Sequence, residues 1–178
     1  MSLGNENSSK LTAGNRTILM AVLLSGAFAA ILNQTLLATA IPHIMTDLKL
    51  DADVAQWLQS IFMLVNGIMI PITAFLINKF STRALFFTAM SLFGLGTLIC
   101  GISPSFSVLL AGRILQAAGA GIIMPLMQTI LFLVYPRTER GKAMGMFGLV
   151  ISFAPAIGPT LSGWFIDIYP WRALFYML

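Results

Sequence analysis

Arg113 is the only charged residue inside a long apolar segment of this chain, and Gln116 follows it by one helical turn. An ionised side chain at the bilayer centre costs at least about 2.5–3.5 kcal/mol, so such residues usually serve a function. Small residues surround both positions, which favours a packed polar face. The pair is therefore predicted to line a path for a substrate or a proton. The alternative is that Arg113 lies near the outer end of its helix and extends to the headgroups.

Asn33 and Gln34 are the polar residues at the middle of the first apolar segment. Amides in lipid need hydrogen-bond partners, and such bonds between helices contribute about 0.6–2 kcal/mol each. Asn33 is a natural partner for Arg113, and both amides are predicted to belong to the same path. The alternative is a clamp between helices with no role in substrate binding.

The inventory of reactive side chains argues against an enzyme and against a metal site. The chain has one cysteine and one histidine, which excludes a cysteine-type or multi-histidine metal site within it. No pair of acids lies in an apolar segment, and no glycine-rich phosphate loop follows a strand. The net charge of +4 does not indicate nucleic-acid binding, because the basic residues are scattered among short connections. No metal and no cofactor are expected.

Composition indicates an integral membrane protein. Of the 178 residues, 58% are hydrophobic and 9% are charged, whereas a soluble domain carries about 25% charged residues. A span needs about 20 apolar residues. The sequence predicts an all-α membrane protein, with a polar tail over 1–15 and a transmembrane bundle over 16–178. Its spans lie at about 18–41, 54–77, 84–102, 107–134 and 143–166, with the start of a sixth at 171–178.

The ends of the spans carry their own signals. Pro42 is expected to close the first helix. Asp53 with Gln56 forms a capping-box pattern at the start of the second helix, and Ser81 or Thr82 is a candidate cap for the third.

The basic residues predict the orientation in the membrane. With the N-terminus in the cytoplasm, seven bases fall inside and two fall outside, a positive-inside bias. The inside bases are Lys10, Arg16, Lys79, Arg83, Arg137, Arg140 and Lys142, and the outside bases are Lys49 and Arg172. We therefore expect a multi-pass protein of the cell inner membrane with a cytoplasmic N-terminus.

Residues 154–163, APAIGPTLSG, place two prolines and two glycines inside a charge-free segment. Each proline removes a backbone donor and clashes with the preceding turn. Such a segment survives in lipid only when it packs against other helices or lines a cavity. The expectation is a bent helix with a small-residue face, formed by Ala154, Gly158 and Ser162, in a polytopic protein.

Five stretches in this order resemble motifs of the major facilitator superfamily, most closely its fourteen-span drug:proton antiporters of the lincomycin-resistance type. They are 32–42, LNQTLLATAIP, similar to the first-helix motif; 74–83, AFLINKFSTR, where the family has its charged loop motif; 112–121, GRILQAAGAG, similar to the fourth-helix motif; 154–163, similar to the fifth-helix antiporter motif; and 171–176, WRALFY, similar to the start of helix six. The resemblance implies the N-terminal portion of the family's helix bundle.

The resemblance also implies roles for named residues. Asn33, Gln34, Arg113 and Gln116 would line the path, and Asn78, Lys79 and Arg83 would form a cytoplasmic gate loop. Pro155, Gly158, Pro159 and Gly163 would provide the gating surface of helix five. The implied activity is export of drugs or other small amphipathic molecules across the plasma membrane, driven by the proton gradient and using no cofactor.

The sequence departs from the family pattern in two motifs. Asn33 stands where the first-helix motif has an acid, so this helix cannot carry a proton by itself. In the gate loop Asn78 replaces an acid, while Lys79 and Arg83 keep the positive charge. The proton step would then need carboxylates elsewhere.

The expected partners are the lipid bilayer, a drug-like small molecule and the remainder of a transporter. Five helices and the start of a sixth are fewer than one bundle, so we expect a truncated or fragmentary chain that is inactive alone. An alternative of a different class is a non-transporting membrane scaffold that binds a partner helix bundle.

Overall fold

The structure, a computed structural model, describes residues 13–177, with side chains from residue 18 onward. Its helices are α1 Ala13–Leu48, α2 Ala52–Lys79, α3 Thr82–Gly101, α4 Phe106–Val134, α5 Arg140–Ile168 and α6 Ala173–Met177. The first five are long and apolar enough to cross a membrane. The prediction of an all-α membrane bundle with five spans is confirmed. Most of the predicted polar tail lies outside the described residues, as does Leu178.

The helix α4 is at the centre of the bundle. In its most apolar stretch 56% of the residues are buried, against 11% in α2 and 17% in α5. It packs most extensively against α3 and α2, while α5 packs mainly against α1. Residues of α4 therefore face protein on most sides, which explains how a polar side chain there can avoid lipid.

Glycines bring the backbones of α3 and α4 into direct contact. A Cβ added to Gly96 would lie 2.6 Å from the backbone nitrogen of Gln116. One added to Gly119 would lie 2.5 Å from the carbonyl oxygen of Ala89. Any larger residue at these positions would force the helices apart, so the small residues of the fourth span serve close packing.

The prediction that Pro42 ends the first helix is wrong. The helix α1 continues through Pro42 to Leu48. It ends where Lys49 adopts a left-handed conformation with φ of 53° and the Leu50 amide donates to the Met45 carbonyl at 2.9 Å. This is the pattern of a Schellman stop. Burial of Ile44, which is fully enclosed, favours continuing the helix past the proline.

The predicted caps give mixed results. Ser81 caps α3, since its hydroxyl accepts from the Ala84 amide at 3.3 Å. The predicted capping box of Asp53 and Gln56 is wrong, because Asp51 is the N-cap of α2 and its side chain makes no capping hydrogen bond.

At one end of the bundle, three distant segments meet around Asp47. The Arg172 guanidinium pairs with this carboxylate at 2.6 Å, and the Trp171 indole N–H donates to it at 3.0 Å. Arg172 also donates from Nε to the Ser103 carbonyl at 3.0 Å. These contacts join the end of α1, the connection between α3 and α4, and the segment before α6.

Candidate functional site

Arg113 is completely buried in the bundle. Its Nη1 donates to the side-chain oxygen of Asn33 and, at 2.8 Å, to that of Gln116. Its Nε donates to the Leu58 carbonyl at 3.4 Å. The guanidinium thus binds groups on α1, α2 and α4. This burial excludes the alternative in which Arg113 extends to the headgroups.

Gln116 extends the cluster towards α3. Its amide nitrogen donates to the Thr97 hydroxyl at 2.8 Å, and that hydroxyl donates to the Phe93 carbonyl at 2.8 Å. Thr97 was not predicted from the sequence. Its only sequence signal is a hydroxyl within an apolar span, which is common in membrane helices because the backbone one turn earlier can accept its proton.

Phe62 of α2 covers one face of the guanidinium. The Arg113 Cζ atom lies 4.3 Å from the ring centroid, and Phe62 is almost fully buried. A cation over an aromatic face is attracted by the ring quadrupole, more strongly where water is absent. Sequence reasoning missed Phe62, since phenylalanines are abundant in the chain and nothing in the local pattern marks this one.

The cluster has more donors than acceptors. None of the hydrogen-bond partners that the described residues offer Arg113 is a carboxylate. Two buried nitrogens, Arg113 Nη2 and Asn33 Nδ2, have no hydrogen-bond partner within the described part of the chain. Beside Asn33 is a void of about 10 Å³, enclosed otherwise by Leu36, Leu37, Ala40, Leu174 and Phe175.

Gln34 is not part of this cluster. It is half-buried, and none of the described hydrogen bonds links it to Asn33, Arg113 or Gln116. Adjacent residues on a helix point about 100° apart, so Asn33 and Gln34 cannot both face α4. Of the four predicted path residues, the structure brings three together.

The predicted gate residues lie at a short connection between two helices. Asn78 and Lys79 are the last residues of α2, and Arg83 lies in the first turn of α3. All three are exposed. The Asn78 amide donates to the Ala74 carbonyl at 3.1 Å, and the Lys79 ammonium lies 4.7 Å from the centre of the Phe75 ring. No described hydrogen bond joins the three to one another.

The helix α5 runs unbroken through Pro155 and Pro159. The predicted face of small residues is present, since Ala154, Gly158 and Ser162 are buried on the side of α5 that packs against α1. A Cβ at Gly158 would collide with the Thr35 hydroxyl. The Ser162 hydroxyl donates to the Leu36 carbonyl at 3.2 Å and is in hydrogen-bond contact with Thr39.

The other residues of the helix-five motif lie on a different face. Pro155, Pro159 and Gly163 are exposed in this chain, and a Cβ at Gly163 would meet nothing within 4 Å. The structure therefore divides the predicted motif: Gly158 packs against α1, and the remaining three residues face outward.

Chemically, the centre of the bundle can bind a polar or anionic group, since it offers a fixed positive charge with neutral amides and a hydroxyl around it. Within the described residues, no group of three or more His, Cys, Asp or Glu side chains is placed to hold a metal ion.

Comparison with known proteins gives consistent matches along the chain. The family model of the Major Facilitator Superfamily matches residues 23–178. An uncharacterized MFS-type transporter of Bacillus subtilis is 63% identical over 164 residues, covering 92% of this chain and 35% of the relative. The lincomycin resistance protein of Bacillus subtilis is 42% identical over 160 residues, covering 90% of this chain and 33% of the relative.

A more distant relative matches over a similar share of this chain. The multidrug export protein of Haemophilus influenzae is 36% identical over 165 residues, covering 92% of this chain and 32% of the relative. The chain thus spans about a third of the length of the curated relatives it matches.

Two solved structures have the same fold. A crystal structure of a peptide transporter in complex with alafosfalin superposes with a TM-score of 0.78 at 18% identity, over 89% of this chain and 34% of that one. A bacterial homolog of the human lysosomal transporter Spinster, inward-facing and unoccupied, gives a TM-score of 0.75 at 20% identity, over 86% of this chain and 32% of that one.

Proposed function

The chain belongs to the major facilitator superfamily, and from this premise we propose that it forms the N-terminal part of a proton-driven exporter of drugs or other small amphipathic molecules. The relatives named for lincomycin resistance and multidrug export support the substrate class. The observation that carries the proposal is the buried hydrogen bonding of Arg113 with Asn33 and Gln116, which provides a polar centre in an otherwise apolar bundle.

In this proposal Asn33, Arg113 and Gln116 form the polar wall of the transport path. Gln34 lines the same path from a neighbouring face of α1. In this family the two repeats meet near the bilayer midplane and substrates bind there. Helices one and four occupy corresponding places in the two inverted repeats, which agrees with the pairing of Asn33 on α1 with Arg113 on α4.

The predicted gate and the outward face of α5 act against the rest of the transporter. Lys79 and Arg83 provide positive charge at the cytoplasmic side, with Asn78 replacing the acid of the family motif. Pro155, Pro159 and Gly163 form the surface on which a further helix bundle would rock during alternating access. The protein is a multi-pass membrane protein, and we place it in the plasma membrane with a cytoplasmic N-terminus.

Proton coupling requires an acid that this polar wall does not supply. An asparagine at position 33 binds Arg113 but cannot take up and release a proton as a carboxylate does. In this proposal the proton-carrying group lies in the remainder of the transporter, and the gradient is the energy source without any cofactor.

The test joins residues 1–178 to the part of the relative of 63% identity that follows the matched region, and measures efflux of a fluorescent cationic dye from cells. We expect efflux that a proton uncoupler abolishes, and none from residues 1–178 alone. A membrane-inserted fusion that exports no dye and confers no resistance would contradict the proposal and favour the scaffold alternative. Efflux that the uncoupler leaves unchanged would contradict the proton coupling.

A further inference from the structure

Among residues 18–177, no negatively charged side chain contacts the buried Arg113 guanidinium to balance its positive charge. The acceptors that face the guanidinium are the neutral oxygens of Asn33, Gln116 and Leu58. Buried charges in proteins are almost always paired, because an isolated charge loses its hydration without compensation. The described part of the chain therefore holds an unpaired buried cation at the centre of the helix bundle.

The two unpartnered atoms of the cluster are both donors. Arg113 Nη2 is geminal to the nitrogen that binds Asn33, and Asn33 Nδ2 is geminal to the oxygen that Arg113 binds. Both free donors thus lie beside the hydrogen bond between Arg113 and Asn33. The two side chains are only 0% and 1% exposed, respectively. A group that satisfies them must be an acceptor, and one that also balances the charge must be an anion.

The aromatic ring next to Arg113 does not fill this role. Phe62 lies against the guanidinium with its centroid 4.3 Å from Cζ. A ring face attracts the cation through a quadrupole but carries no net charge. It therefore lowers the cost of burial while leaving both the charge and the in-plane donors unmet.

We propose that the Arg113–Asn33 cluster is a binding site for one monovalent anionic group, either a free halide ion or the carboxylate of a small amphipathic molecule. The bound anion accepts from Arg113 Nη2 and Asn33 Nδ2. For a free halide the inference is independent of the proposed function. For the carboxylate of an exported molecule, the inference rests on the proposed export function. Weak organic acids would then be a substrate class of the transporter.

The void beside Asn33 has an apolar lining and does not reach Arg113, so an anion needs a rearrangement of side chains to contact the two donors. Its volume of about 10 Å³ corresponds to a single water, so a halide or a carboxylate needs additional room. Two of its walls, Leu174 and Phe175, belong to α6, and the others belong to α1. Side chains of these two helices must therefore move to admit an anion.

The test is thermal unfolding of the purified chain in neutral detergent, at constant pH and ionic strength in sodium gluconate, whose bulk excludes it from this void. Sodium bromide replaces gluconate in one titration and sodium benzoate in another. We expect a saturable rise in Tm of about 2–4 °C. A rise with bromide alone identifies a halide site, and a rise with benzoate identifies a carboxylate site.

Two variants make the result specific. Asn33→Asp supplies the missing charge internally, so the response to either anion should weaken at least about tenfold in apparent affinity. If Asn33→Asp does not fold, Gln116→Glu places a carboxylate on the other acceptor of Arg113 and carries the same expectation. Arg172→Gln is the control, because Arg172 is at the bundle end and pairs with Asp47; its response should equal that of the unmodified chain.

The inference is overturned if neither anion raises the Tm of the unmodified chain. It is also overturned if Asn33→Asp and Gln116→Glu respond to the anions as strongly as the unmodified chain does. The assay measures binding without transport. Failure here would therefore leave the proposed export standing, and a transport-inactive fusion would leave anion binding standing.

Discussion

Arg113 on α4 and Asn33 on α1 are joined by a side-chain hydrogen bond across 80 positions of sequence. The same Arg113 nitrogen binds Gln116 at 2.8 Å, and Gln116 binds Thr97 on α3. Because Arg113 also donates to the Leu58 carbonyl on α2, one continuous polar network connects four membrane helices. Since these side chains are buried, each partner depends on the others for its hydrogen bonds.

Replacing Arg113 with alanine should abolish transport in the fusion described above. The change removes the positive charge of the cluster and leaves the Asn33 oxygen without its donor and the Gln116 oxygen with only the Cys100 thiol at 3.7 Å, at a cost of about 1–3 kcal/mol. Membrane insertion should be unchanged or improved, since a charged residue is removed from a span. Dye efflux and the amount of inserted protein are the two measurements. Normal drug resistance in the variant would refute the role of Arg113.

The two glutamines of the predicted path should behave differently. Gln116→Leu breaks hydrogen bonds to Arg113 and Thr97 and should lower the free energy of unfolding by about 1–3 kcal/mol. Gln34→Leu, the matched control, removes no described hydrogen bond and should change stability by less than about 0.5 kcal/mol. Thermal unfolding in detergent measures both. Equal losses would show that Gln34 contributes as much hydrogen bonding to the fold as Gln116 does.

Two glycines of helix five should respond oppositely to alanine. At Gly158 the added Cβ collides with Thr35, so Gly158→Ala should destabilise the bundle by about 1–3 kcal/mol. At Gly163 the Cβ meets nothing, and Gly163→Ala should be neutral or stabilise by up to about 1 kcal/mol. Resistance of the purified protein to heat or protease reports both changes.

A second substitution tests the cause of that difference. Adding Thr35→Ala to Gly158→Ala removes the hydroxyl closest to the new Cβ but keeps the Thr35 Cβ at 2.7 Å, so stability should recover in part. If the double variant is no more stable than the Gly158 variant, the collision with Thr35 is not the reason for the loss.

Cys100, the only cysteine of the chain, should resist labelling in the folded protein. It is fully buried, with its sulfur 3.6 Å from the Leu109 carbonyl. A maleimide should react with it only after denaturation in SDS. Gly112→Ala, whose Cβ would lie 2.6 Å from this sulfur, should make the native protein reactive. Labelling of the unmodified native chain at the denatured rate would contradict the tight contact of α3 with α4.

The sequence was sufficient to predict the helices because long apolar segments interrupted by charged connections have few alternatives. It also identified Asn33, Arg113 and Gln116, since polar side chains are rare in such segments. Whether Asn33 meets Arg113 depends on how α1 and α4 rotate and pack, and no local pattern encodes that. The contributions of Thr97 and Phe62 depend on the same packing.

Two features of the structure depend on packing and helix geometry that no local sequence pattern encodes. Pro42 was expected to end α1, but one lost hydrogen bond is outweighed by the burial of residues beyond it, such as Ile44. The residues of the helix-five motif do not share one face, because a helix turns by about 100° per residue. Gly158 therefore faces α1 while Pro155 and Pro159 face outward.

Close packing and hydrogen bonds between α5 and α1 couple the positions of these two helices. Ser162 is tied to Leu36, and Thr35 fills the space that Gly158 leaves. Thr35 is two residues from Asn33, less than one turn of helix. A movement of α5 at its outward prolines would therefore be passed to α1 by these contacts. From Thr35 it would reach Asn33, and so the Arg113 hydrogen bond, within one turn of the same helix.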